Sequence, residues 1–62
     1  MIASVLTFKG QAKSPTELFR DLVNMQPPMT RYPVKRALGS IGGAITQGFI
    51  AKNASGDYVR LR

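Results

Sequence analysis

Histidine and cysteine are both missing from this 62-residue chain. Their absence removes the usual general bases, thiol nucleophiles and zinc ligands. The carboxylates are Glu17, Asp21 and Asp57. Glu17 and Asp21 stand four residues apart, one turn on a helix, a spacing that could set two carboxylates side by side. Their neighbours are polar, and the bland reading, two solvated charges on an exposed helix face, fits better. The sequence therefore predicts no enzyme and implies no cofactor or metal.

The chemistry that remains belongs to the cations. Nine Lys/Arg residues against three acids give a net charge of +6 and a pI near 10.6. The charge is uneven. Lys9, Lys13 and Arg20 against Glu17 and Asp21 leave residues 1–30 at +1. Arg31, Lys35, Arg36, Lys52, Arg60 and Arg62 against Asp57 put residues 31–62 at +5. Positive charge gathered in one half is the electrostatic footprint of a polyanion binder. A generically basic, solubilising surface is the competing reading.

Those cations need elements to carry them. Residues 2–8, Ile-Ala-Ser-Val-Leu-Thr-Phe, are β-branched and aromatic and predict a strand closed by Gly10, followed by a polar loop over 9–13. Ser14-Pro15-Thr16-Glu17 is a capping box with proline at the first helical position. Leu18, Phe19, Leu22, Val23 and Met25 recur at helical spacing, so a helix is expected over 15–26, stopped by Pro27-Pro28.

Between 33 and 48, Val34, Ala37, Leu38, Ile41, Ala44 and Ile45 fall within one arc of roughly 120° on a helical wheel, a face expected to meet the core. Gly39, Gly42 and Gly43 each cost on the order of 1 kcal/mol in a helix interior. A break near Gly39-Ser40 is therefore predicted, giving two short helices at 31–38 and 41–48. Tyr32 is read as a packing residue at the helix entry. The C-terminal segments Gly48–Lys52 and Asp57–Leu61 flank Asn53-Ala54-Ser55-Gly56 and predict a hairpin with a four-residue loop. That loop pairs Lys52 with Asp57, Ala51 with Tyr58, Ile50 with Val59 and Phe49 with Arg60. It turns Ile50, Val59 and Leu61 towards a core.

The order strand, helix, two short helices, basic hairpin resembles the winged helix-turn-helix family. Val34 to Ser40 looks like a helix running into the turn, Ile41 to Gln47 like the recognition helix, and Gly48-Phe49-Ile50 like the entry to the wing. Asn53 to Leu61 looks like the wing and its return strand. The resemblance implies an α+β, winged-helix-like domain over residues 1–62 that binds double-stranded DNA as a regulator. Under it Arg31, Lys35 and Arg36 neutralise phosphates on one flank, and Lys52, Arg60 and Arg62 do so from the hairpin. Ser40, Gly43, Thr46 and Gln47 lie on the outer side of the recognition helix, where they offer weak base readout.

Two other readings stay open. Leu38-Gly39-Ser40-Ile41-Gly42-Gly43-Ala44-Ile45 resembles the apolar-G-x-x-G-x-x-I signature of KH domains, whose glycine loop clamps single-stranded RNA or DNA. A basic module of this size also suits a protein partner, with Met25, Met29 and Tyr32 as contact residues. A chain this short buries only about 60% of its unfolded surface, so a homodimer is a reasonable expectation. No stretch approaches the roughly 18 apolar residues of a membrane span. The apolar start, Met1 to Leu6, is too short for a signal peptide. A cytoplasmic protein is expected.

Overall fold

The computed structural model describes residues 2–62. It is a small α+β fold. A 3-10 turn at Ile2–Ser4 is followed by β1 (Ala12–Lys13), α1 (Pro15–Asn24), α2 (Pro33–Thr46), β2 (Ile50–Lys52) and β3 (Tyr58–Arg60). The three strands form one antiparallel sheet in the order β1-β3-β2, with the return strand of the hairpin at its centre.

The N-terminal segment is not a strand. Ile2, Val5 and Leu6 are buried together, at spacings of three and four, while the amides of Val5 and Leu6 both donate to the Ile2 carbonyl. The burial has the period of a helical turn, and the β-branched composition gives way to it. The strand pairing falls instead at Ala12 and Lys13, opposite Val59 and Tyr58, inside what the sequence suggests is a loop. Gly10 adopts φ 89 and donates its amide to the Arg60 carbonyl, which brings the chain alongside β3.

α1 forms as its capping box dictates. The Glu17 amide donates to Ser14 Oγ at 3.2 Å, and Pro15 opens the first turn. Leu18 and Leu22 are fully buried, with Phe19 and Val23 packed at the edge of the core. The helix ends at Asn24, two residues short of the expected 26, and Met25 is exposed. Gln26 ties the two helices together: its Nε2 donates to the carbonyls of Leu22 and Pro33.

The two short helices expected after the prolines are one 14-residue helix. Packing overrides the glycine propensity. Ala37 and Ala44, seven residues apart on one face, both sit in the core, and a break at Gly39-Ser40 would turn one of them away. The helix stops at Gly48, φ 71, in a Schellman arrangement: the Phe49 amide donates to Ala44 O and the Gly48 amide to Ile45 O.

The hairpin forms, one residue out of the expected register. Ile50 lies opposite Arg60, Ala51 opposite Val59 and Lys52 opposite Tyr58. The cause is Gly56, which at φ 84 adds a residue to the turn. Asn53 organises the loop: its Oδ1 accepts from the amides of Ser55 and Asp57, and its carbonyl accepts from Gly56. Ile50 is buried as anticipated, but Tyr58 takes the place foreseen for Val59, and Leu61 is exposed.

Ser14→Ala should cost about 1 kcal/mol. In a domain of this size that lowers the melting temperature by several degrees, readable by thermal circular dichroism; an unchanged midpoint would mean the cap contributes nothing.

Candidate nucleic-acid interface

α2 presents three faces. Ala37 and Ala44 point into the core. Val34, Leu38 and Ile45 remain 50%, 57% and 46% exposed on a second face, with Ile41 partly covered beside them. The expectation that the whole aliphatic arc is buried is therefore wrong for half of it. The core takes the alanine edge of the arc, because small side chains let α2 lie close against Leu18 and Leu22.

The third face carries most of the candidate residues. Lys35, Arg36, Gly39, Gly42, Gly43, Thr46 and Gln47 are all exposed, and Arg31 is exposed just before the helix. Gly39, Gly42 and Gly43 have open space where a Cβ would stand, so no contact within the chain requires them to be glycine. The Thr46 hydroxyl donates to the Gly42 carbonyl, which draws its side chain down along the helix. Ser40 is half-buried and, with Gly43 and Gln47, borders a shallow hollow whose other wall is Ile2, Ala3 and Phe49.

The electrostatics sort the cations. Among the described residues the only ion pair is Lys13–Asp21, at 2.7 Å, which ties β1 to α1. Arg31, Lys35 and Arg36 therefore carry uncompensated charge within about two helical turns of one another.

The hairpin cations are placed differently. Arg60 is held inside the molecule: its Nη1 donates to the Leu6 carbonyl at 2.8 Å and its Nε to the Arg62 carbonyl at 2.7 Å. Its guanidinium also lies 4.7 Å from the Phe49 ring centre. Lys52 reaches over the Tyr58 ring at 5.6 Å, on the strand that borders Leu38 and Ile41, away from the hollow beside Ser40. Arg62 is exposed at the chain end. The structure thus puts Lys35, Arg36, Gly43 and Thr46 on α2, with Arg31 just before it and Gln47 at its C-cap, and gives Arg60 an anchoring task that sequence spacing did not reveal. No long-range pattern in the sequence connects Arg60 with Leu6.

Tyr32 also departs from its expected role. It is 71% exposed, at φ 56, and stands between Arg31 and the first turn of α2 without a side-chain cap bond. Residues 39–43 lie within α2, so the glycine loop that a KH-like clamp needs is not formed. No described helix is long and apolar enough to cross a membrane. Comparison with protein-family models, with curated proteins and with solved structures found no match.

Arg60→Ala should destabilise the fold by roughly 1–2 kcal/mol, through loss of the Leu6 hydrogen bond and the Phe49 contact. Arg62→Ala should leave the melting temperature within a degree or so. Equal midpoints for the two variants would show that the Arg60 contacts carry no stability.

Proposed function

We propose that this chain is a small winged-helix-like protein that binds duplex DNA through the outer face of α2 and regulates by occupying its site. The observation that carries this reading is the cluster of Arg31, Lys35 and Arg36, exposed and without carboxylate partners, around one end of a helix whose outer face is bare. Cations of this kind neutralise phosphates and supply most of a nucleic-acid binder's affinity. α2 follows α1 and precedes the hairpin, as the second helix of a helix-turn-helix pair does before a wing, and that second helix is the one that enters the major groove. Its glycines cost stability and offer no internal packing in return, which suits a helix whose backbone approaches a groove wall closely. Thr46 and Gln47 are the side chains available for base contact, with Gln47 suited to adenine. The connection from Met25 to Tyr32 is eight residues long, twice the usual helix-turn-helix turn, and holds Arg31 at the face.

Tyr32 favours a second reading. An exposed aromatic ring beside three cations is also a stacking platform for an unpaired base of single-stranded nucleic acid. Competition between duplex and single strands of one sequence separates the two, and Tyr32→Ala should weaken only the single-stranded mode.

Lys35→Ala/Arg36→Ala should weaken duplex binding with little change in melting temperature, since both side chains are exposed. Each lost phosphate contact lowers the slope of log K against log salt by about 0.9, so nearly two units should disappear. An unaltered slope would remove this face from consideration. Gly43→Ala should act oppositely on the two properties. It should raise stability by roughly 0.5–1 kcal/mol and reduce DNA affinity. A Gly43→Ala variant that binds as tightly as the native chain would mean that nothing approaches the helix there.

A further inference from the structure

The aliphatic face of α2 belongs neither to the core nor to the basic face. Val34, Leu38, Ile41 and Ile45 follow one another at spacings of four, three and four, the period of a seam between two packed helices. Three of the four are about half exposed. Beside them runs an open apolar groove formed by Pro15, Thr16, Phe19 and Tyr58 together with Leu38 and Ile41, and none of these residues carries a charge. Gly42 flanks the seam with open space above its backbone, so no side chain there keeps a second helix at a distance.

We propose that a second copy of this chain covers this face, the two α2 helices packing antiparallel about a two-fold axis. The seam is self-complementary in that direction: Val34 meets the partner's Ile45, and Leu38 meets the partner's Ile41. Lys52 stands at the edge of the groove over Tyr58, but the seam itself is uncharged, which suits an identical one. The direction follows from the charges. A parallel pair would bring both sets of Arg31, Lys35 and Arg36 together at one end. The antiparallel pair displaces Lys35 from its copy by nine residues, or about 14 Å along the axis, beyond the roughly 8 Å Debye length at physiological salt. The patch on one copy is small: Val34, Leu38 and Ile45 are each about half exposed beside the groove. Two patches of this size fall short of the roughly 1,000 Å² at which a standard specific interface begins, so the pair is a weak one. The basic face lies to one side of the seam, so it stays open in the pair, and the proposal does not depend on DNA binding.

Sedimentation of the full chain without nucleic acid tests it. The mass should rise from 6.8 kDa towards twice that value as concentration increases. Leu38→Glu, at a position 57% exposed, should keep the monomer's circular dichroism and weaken association at least tenfold. Should that variant fail to fold, cysteines decide the matter, because the chain has none of its own. Val34→Cys/Ile45→Cys should cross-link to a dimer under mild oxidation, and Val34→Cys alone should not. A 6.8 kDa species at every concentration, an intact dimer in Leu38→Glu, or equal cross-linking by the single and double cysteine variants overturns the proposal. The first of these would leave the face to a different protein.

Discussion

Two alanines set the rotation of α2, and the rest of the molecule depends on that rotation. Ala37 and Ala44 are the side chains the helix turns into the core, against Leu18 and Leu22 of α1 and Ile50 of the hairpin. Small side chains at the contact let the axes approach closely, which tightens the packing of a core whose large, fully buried residues, among those described, are Leu6, Leu18, Leu22 and Ile50. With the alanine edge inward, the aliphatic stripe is carried to one flank and the cations and glycines to the far side. One packing choice thereby divides a single helix into a core face, an apolar flank and a basic outer face.

The hairpin and the N-terminal turn hold that arrangement in place. The Schellman stop at Gly48 delivers Phe49 and Ile50 directly from α2 into the sheet, so the helix and β2 cannot rotate independently. Arg60 closes the structure from the other side, joining β3 to Leu6 and covering Phe49. Lys13 and Asp21 fasten β1 to α1. Cations thus serve two purposes here. Those within reach of a carbonyl, a carboxylate or an aromatic ring stabilise the fold, and those around the start of α2 are left facing solvent.

Much of this is legible in the residues. The Ser14–Glu17 cap, the proline stop after α1, the glycine that ends α2 and the hairpin over 49–60 all carry local chemistry that determines them, and the structure contains each. What the sequence misleads on is decided by tertiary contacts. A run rich in β-branched residues at 2–8 becomes a turn because Ile2, Val5 and Leu6 reach the core together at helical spacing. Three glycines suggest a break that the shared burial of Ala37 and Ala44 prevents. The hairpin slips by one residue because the left-handed conformation of Gly56 depends on Asn53 organising the whole loop. The cations of the candidate face could be named from charge asymmetry alone. That Arg60 works inside the fold could not, since its partner is 54 positions away.

The proposed function assigns DNA contact to the outer face of α2 alone. The most direct measurement is amide chemical-shift mapping of the isotopically labelled chain during titration with a short mixed-sequence duplex. The account predicts shifts at residues 31, 35, 36, 39, 43, 46 and 47, with the amides of Val34, Leu38, Ile41 and Ile45 moving far less. Shifts concentrated on that aliphatic stripe or around Lys52 and Tyr58, or no shifts at low salt, would contradict it.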